Sequence, residues 1–139
     1  MKRCFGLVAG LVLAASGALA APDVVGYKCI IKGAGDGDWI QPLIFIAYNR
    51  DAERVVVSDP MILAFNDGIP VTGRVVTDNS KRTTFAWDVQ ITLNVSPVTM
   101  GFRGTYVKSN GVFSVVATPR GYSNNFTRGG TCKLDRLES

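Results

Sequence analysis

The sequence predicts an all-β fold: an antiparallel meander of eight or nine strands closed as a small barrel, with a sandwich as the alternative. Apolar and polar residues alternate with a period of two along most of the chain, and no window shows a convincing 3.6-residue apolar period. Turn signals such as Asn66-Asp67-Gly68 and Asn110-Gly111 separate the alternating segments. Short turns between successive strands are typical of antiparallel meanders.

The first twenty residues have the three parts of an export signal. Met1-Lys2-Arg3 is basic, Phe5 to Leu13 is apolar, and Ala18-Leu19-Ala20 is a small-residue cleavage site. We therefore predict a signal peptide over 1–20, one β-barrel domain over 21–139, and a periplasmic or secreted bacterial protein. Half of the formal net charge of +4 belongs to this leader. The remainder predicts no clustered basic face for nucleic acid.

Alternation along the remaining chain predicts most of the strands. The longest, Arg82–Leu93, places Phe85, Trp87 and Val89 on one face, which we expect to point into the barrel. The more polar face, which includes Asp88, should then point outward. Apart from a hairpin described below, the other predicted strands are Val24–Lys32, Trp39–Tyr48, Arg54–Ser58, Met61–Phe65, Pro70–Thr77 and Thr131–Asp135.

The dipeptide Asn110-Gly111 predicts a hairpin, because both positions of a type I′ turn need positive φ. A two-residue turn there would place Tyr106 opposite Val115 and Gly104 opposite Ala117. The apolar face of this hairpin, which we expect to join the core, consists of Phe102, Tyr106, Phe113, Val115 and Ala117.

Two cysteines remain after the leader, Cys29 and Cys132, near opposite ends of the domain. An even count in an exported protein predicts a disulfide. Such a bridge would hold the first and last strands together, and a meander whose end strands touch is a closed barrel. The cysteines therefore favour the barrel over the sandwich, although a sandwich can also be pinned between its sheets.

The residue inventory excludes several chemistries. The chain has no histidine, which removes Ser-His-Asp and Cys-His catalysis and imidazole metal ligands. The carboxylates at Glu53, Asp59, Asp67 and Asp88 show no spacing that sets a catalytic pair. The glycine-rich stretch Gly33–Trp39 lacks the full calcium-loop pattern and is interpreted as a flexible turn. We expect a non-enzymatic protein without a cofactor or metal.

The segment Pro119–Gly130 is the best binding candidate, since it is the longest stretch without alternation. It combines aromatic, amide and guanidinium side chains of the kinds enriched in protein-recognition surfaces. Alternatively, its two aromatic residues fold inward and cap one end of the barrel. The candidate binding residues are Arg120, Tyr122, Asn124, Asn125, Phe126 and Arg128.

Several short motifs occur in a characteristic order along the domain, including Val-Val-Val-Ser-Asp-Pro at 55–60, Pro-Arg-Gly-Tyr-Ser-Asn-Asn-Phe at 119–126 and Gly-Gly-Thr-Cys at 129–132. This order resembles small secreted proteins of alphaproteobacteria with one cysteine near each end, which implies a periplasmic address. The layout is also similar to that of the C-type lysozyme inhibitors. Their Ser-Gly-x-x-Tyr binding segment is absent, so the resemblance assigns no inhibitor residues here.

These observations predict an interaction module that binds a protein or envelope component through the loop at 119–130. A lipocalin-like carrier of a small apolar ligand, a lysozyme-inhibitor-like protein and a carboxylate-dependent hydrolase of envelope polymers remain alternatives. No nucleic-acid partner is expected. The polar C-terminal sequence at 133–139 argues against embedding in a membrane after the signal is removed, because an outer-membrane barrel ends in an aromatic strand.

Overall fold

The computed structural model describes residues 23–35 and 37–137, and the predicted signal peptide lies outside them. The described chain forms eight antiparallel strands and one short helix, and the strands close into a barrel in sequence order. The predicted fold class is confirmed. The elements are β1 (Val24–Ile31), β2 (Leu43–Asn49), β3 (Arg54–Ser58), α1 (Pro60–Phe65), β4 (Val71–Asp78), β5 (Arg82–Leu93), β6 (Ser96–Val107), β7 (Val112–Pro119) and β8 (Phe126–Arg136).

The barrel closes where β1 pairs with β8. In this ladder Cys29 lies directly opposite Cys132, their Cα atoms are 4.0 Å apart, and the two sulfurs form a disulfide. The predicted bridge is therefore confirmed. It joins residues 103 positions apart at the seam where the meander returns to its first strand.

The inner faces of the strands form one continuous core. Tyr27, Phe85, Trp87 and Phe113 are among its largest fully buried side chains. The indole of Trp87 stacks on the ring of Phe102 with centroids 5.5 Å apart. The face predicted for the central hairpin is confirmed, since each of its five members is buried. Bulky side chains therefore occupy the barrel interior.

The prediction of a strand over Met61–Phe65 is wrong, because this segment is helix α1. Asp59 is its N-cap: its carboxylate accepts a hydrogen bond from the backbone nitrogen of Ile62 at 2.7 Å. Pro60 occupies the first turn, where its fixed φ favours a helix and its missing N–H costs nothing. The N-cap and the proline favour a helix here more strongly than the apolar run after them favours a strand.

The predicted register of the central hairpin is also wrong, by two residues. Tyr106 lies opposite Phe113 rather than Val115, because the turn contains four residues, 108–111. Only Gly111 in this turn has positive φ, and the side-chain oxygen of Asn110 accepts a hydrogen bond from the nitrogen of Val112. A shift by an even number of residues leaves each side chain on its face, so the predicted faces survive.

The predicted loop over Pro119–Gly130 is shorter than expected. Strand β8 begins at Phe126, so the connecting segment is 120–125, and the last strand starts five residues before the predicted Thr131–Asp135 and ends one residue after it. The start of β8 consists mainly of polar residues and glycines, so it does not show the apolar–polar alternation that predicts a strand. Gly130 is required by close packing, since a Cβ atom there would collide with the carbonyl oxygen of Ile30 on β1.

The two ends of the barrel differ in their connections. We call the end formed by residues 50–53, 79–81 and 108–111 the turn end, because only short turns cross it. We call the opposite end the loop end. Its connections are 32–42, the stretch 59–70 that contains α1, the tight turn at 94–95, and 120–125.

Candidate functional site

The first wall of the candidate site is the connection from β1 to β2. Ile40 is buried, and the amide of the buried Gln41 donates a hydrogen bond to the carbonyl of Asp38 at 2.7 Å. These anchors hold Trp39 half-buried, packed against the edge of the core. The carboxylate of Asp38 accepts a hydrogen bond from the nitrogen of Gly35 at 2.8 Å, which fixes the preceding turn.

The second wall is the connection from β7 to β8. Tyr122 is 63% exposed and Phe126 is 37% exposed. Asn125 is held by its side-chain oxygen, which accepts a hydrogen bond from the hydroxyl of Thr118 at 2.8 Å. Tyr122 therefore does not fold inward to cap the barrel, in contrast to the alternative interpretation of this segment.

The two walls enclose two adjacent recesses at the loop end. The first, which we call the apolar recess, has a volume of about 210 Å³ and is lined by Trp39, Met100, Tyr122, Asn124 and Phe126 together with other apolar residues. Its floor belongs to the barrel core, because Met100 is buried. An aromatic ring or an apolar group could therefore rest on the core while the rim contacts its edges.

The second, which we call the polar recess, has a volume of about 390 Å³ and shares Trp39 and Phe126 with the first. Its polar lining includes Asp38, Asn125 and Arg128. The guanidinium of Arg128 lies 3.5 Å from the Asp38 carboxylate, and both side chains are about two-fifths exposed. A pair this exposed contributes at most about 1 kcal/mol to stability, which leaves both groups able to exchange partners.

Arg120 is the one predicted site residue that lies apart from these recesses. Its guanidinium contacts the carboxylate of Asp88 at 2.8 Å, on the outer surface of β5. This outward position of Asp88 agrees with the expectation that the polar face of β5 points away from the core. The other five predicted residues line one recess or both.

The turn end contains a polar cluster of a different kind. The carboxylate of Asp78 accepts hydrogen bonds from the Tyr48 hydroxyl at 3.3 Å, the Thr83 hydroxyl at 3.2 Å and the Lys108 ammonium at 2.9 Å. Burial alone would raise the pKa of Asp78, but the hydrogen bonds and positive charges, chiefly those of Lys108, lower it below its ordinary value. This cluster is internally satisfied and joins strands β2, β4 and β5 to the turn after β6.

The remaining candidate carboxylates do not converge. Asp59 is buried as the helix cap, and burial raises its pKa despite the hydrogen bonds from the backbone of Ile62 and Met61. Glu53 and Asp67 occupy turn positions with positive φ, at opposite ends of the barrel. Among the described residues no group of three or more potential metal-ligating side chains occurs. Each carboxylate therefore has a local structural contact or a turn position of its own.

Trp39 and Asp38 were not predicted as site residues. The cysteine pair nevertheless indicates where they lie. Once Cys29 lies opposite Cys132 in antiparallel strands, the residues that follow β1 must lie beside those that precede or begin β8. The observed hydrogen bond from the nitrogen of Lys32 to the carbonyl of Gly129 at 2.9 Å is a direct consequence.

The chain matches no protein-family model, no curated protein and no solved structure. Within 23–35 and 37–137, no helix has the length and apolar character needed to cross a membrane. The Cys29–Cys132 disulfide is of the kind found in oxidising compartments outside the cytosol.

Proposed function

We propose that this chain is a non-enzymatic binding protein of the bacterial periplasm or exterior, and that it recognises a protein or envelope component through the loop end. The observation that carries this proposal is the exposed ring of Tyr122 beside Phe126 and Trp39, at the rim of two adjoining recesses. Exposed aromatic side chains on a rigid scaffold are frequent anchors in recognition surfaces, because they bury a large area with little loss of side-chain freedom.

The scaffold supports this use of the loop end. Trp39 is fixed by its buried neighbour Ile40, and the second wall begins directly after β7 and ends directly at β8. Side chains held in this way lose less conformational entropy on binding than those of a long free loop. The polar recess adds Asp38 and Arg128, whose partly exposed charges favour a partner with polar groups of both signs.

The alternatives find less support. A carrier needs an internal cavity of about 300 Å³ or more, whereas Trp87, Phe102 and Phe113 are buried within this barrel. A hydrolase needs two converging carboxylates, whereas Asp59 caps a helix and Asp88 pairs with Arg120. The disulfide and the predicted signal peptide support the proposed compartment.

The test is affinity capture from periplasmic extract with the protein immobilised through a C-terminal tag, because β8 ends at Arg136 on the side of the barrel opposite the loop end. Wild type is compared with a Tyr122→Ala/Phe126→Ala variant. The matched control is Lys81→Ala/Ser109→Ala, which truncates two exposed side chains at the turn end.

We expect wild type and the control to retain the same partner and the loop-end variant to lose most of it. Two anchor residues of this type typically contribute 1 kcal/mol or more each, which predicts a loss of about tenfold or greater in affinity. Equal recovery of every partner by all three proteins would refute the proposed site.

A further inference from the structure

A separate groove lies on the outer wall of the barrel, across the four adjacent strands β8, β1, β2 and β3. Its volume is about 540 Å³, and its lining residues are distinct from those of both loop-end recesses. Small side chains make the floor: Gly26 on β1 lies directly opposite Ala47 on β2, and Ala47 lies opposite Val56 on β3. These positions face outward, because the intervening Tyr27 and Ile46 are buried in the core.

Two larger apolar side chains flank this floor. Phe45 is 44% exposed on one side, and Leu137 is 41% exposed on the other. The Leu137 side chain lies 3.2 Å from the position that a Cβ atom of Gly26 would occupy, so it leans over the glycine. The result is a narrow apolar trough rather than a flat patch.

Two lysines adjoin the trough. Lys28 and Lys133 lie directly opposite one another in the ladder between β1 and β8, and Lys28 also lies opposite Phe45. Like charges directly opposite each other destabilise a sheet. None of the ion pairs formed among the described residues includes either lysine. The lining also contains one carboxylate, that of Asp135, which lies directly opposite Gly26 in the ladder between β1 and β8.

We propose that this groove binds a single anionic straight-chain amphiphile of the free fatty acid class. The hydrocarbon chain lies over Gly26 and Ala47 between Phe45 and Leu137, and the acid group contacts the ammonium groups of the two lysines. Burial of the chain provides the driving force, and the lysine pair selects a negative head group. The volume of the groove falls within the range of about 300–1,000 Å³ that is usual for small-molecule sites.

The shape and charge of the groove favour this occupant over two others. A flat lipid surface is bound by apolar side chains that protrude, whereas Gly26 and Ala47 form a depression. A second copy docked on the same face by a two-fold axis would bring another pair of positive lysines close to Lys28 and Lys133. A free amphiphile instead brings a negative charge to a groove whose lining holds two lysines and a single carboxylate, Asp135.

The test is isothermal titration calorimetry with dodecanoate, below its micelle-forming concentration, against the folded domain. Lys28→Glu/Lys133→Glu reverses the charge at the groove, and Ala47→Trp fills the floor from an outward-facing position. Lys32→Glu/Lys81→Glu changes the net charge equally at exposed sites away from the groove, and Gln90→Trp places the same bulk on the outer face of β5. Circular dichroism and urea unfolding verify that each variant is folded.

We expect one saturable dodecanoate site in wild type. The charge-reversed protein and Ala47→Trp should each bind at least about tenfold more weakly, while both controls stay within about twofold of wild type. Dodecyltrimethylammonium, which has the same chain and the opposite charge, should bind at least about tenfold more weakly than dodecanoate.

Each of the following results would overturn the proposal. These are the absence of saturable binding by wild type, equal affinity of the charge-reversed or Ala47→Trp protein, equal affinity for the cationic probe, and a dimer in sedimentation that Ala47→Trp dissociates. The last would assign the groove to a second copy. Binding only to vesicles that contain phosphatidylglycerol, without binding of dodecanoate, would assign it to a lipid surface and would equally refute the free-amphiphile site.

Discussion

The two ends of the barrel use similar residues in opposite ways. At the turn end, Tyr27 and Tyr48 are buried and pack edge-on against Phe85, with ring centroids 5.1 and 5.5 Å apart. At the loop end, the ring of Tyr122 stands mostly in solvent. An aromatic ring surrounded by others stabilises the fold, whereas one left at the rim of a recess can bury its area only against a partner.

Charged residues show the same contrast. The contrast holds for one carboxylate at each end, although Asp23 at the turn end also forms loose ion pairs, at 3.7 and 3.9 Å. Asp78 at the turn end accepts three side-chain hydrogen bonds, whereas Asp38 at the loop end accepts one backbone hydrogen bond and lies 3.5 Å from the Arg128 guanidinium. The contrast assigns a mainly stabilising role to the turn end and supports the proposal that the loop end recognises a partner. Both roles depend on the seam between β1 and β8, which holds the two ends in one closed barrel.

The largest effect is expected from opening that seam. A Cys29→Ala/Cys132→Ala variant should lose about 2–5 kcal/mol of unfolding free energy, because the disulfide closes a long loop in the unfolded chain. Urea unfolding of the variant and of the oxidised wild type measures the difference. A loss below about 1 kcal/mol would show that strand pairing alone holds the seam.

The next largest effect is expected at the turn end. Asp78→Ala removes an acceptor shared by three donors and should cost about 1–2 kcal/mol, a value reduced by the partial exposure of the site. The matched loop-end variant Asp38→Ala should cost less than about 1 kcal/mol. If the two costs measured by urea unfolding were equal, or reversed in order, the proposed difference between the ends would be wrong.

The short helix at the loop end should depend on its cap. Asp59→Ala removes the carboxylate that accepts from Ile62 and should cost about 0.5–2 kcal/mol, whereas Asp59→Asn keeps an acceptor and should cost less. Thermal unfolding of both variants measures this order. A larger cost for asparagine than for alanine would contradict the capping role.

Acid should affect the two carboxylates in opposite directions. The lowered pKa of Asp78 means that its contribution to stability is complete above the ordinary value of 3.8 and is lost as the pH falls through the folded pKa. Burial raises the pKa of Asp59, so its contribution is largest below 3.8 and declines as the pH rises through the folded pKa.

Urea unfolding of wild type, Asp78→Asn and Asp59→Asn between about pH 3 and pH 7 separates these contributions. The stability advantage of wild type over Asp78→Asn should shrink toward low pH. Its advantage over Asp59→Asn should shrink toward high pH. Parallel pH profiles for the three proteins would show that neither carboxyl group titrates as its surroundings require.

The smallest effect on stability is expected where the effect on binding is largest. Tyr122→Ala should change the unfolding free energy by no more than about 0.5 kcal/mol, because Tyr122 is mostly exposed. A loss above about 1.5 kcal/mol in urea unfolding would place this side chain in the core and remove it from the recognition surface.

Much of the fold could be predicted from alternation and from two cysteines. Strands β3 and β5 begin and end where the pattern predicts, and the seam follows from Cys29 and Cys132. The helix over Pro60–Phe65 was missed because a short apolar run fits a strand as well as a helix, and only its start signals distinguish them. The hairpin register depended on the length of one turn, which the dipeptide Asn110-Gly111 does not fix.

The candidate site was predicted in part. The composition of 119–130 identified one wall, since its aromatic and polar residues do not alternate. The other wall, with Trp39, lies about eighty residues earlier in the chain and could be found only by following the antiparallel register outward from the cysteine pair. The outer groove was not predicted, because its floor is made of small residues on three strands that no local pattern connects.

The most direct test of the division between the two ends is site-specific photocrosslinking in intact cells. A photoreactive phenylalanine replaces Tyr122 at the loop end in one protein and Lys81 at the turn end in another. We predict a discrete crosslinked adduct from position 122 and none from position 81. An adduct from position 81 alone, or the same adducts from both positions, would contradict the assignment of recognition to the loop end.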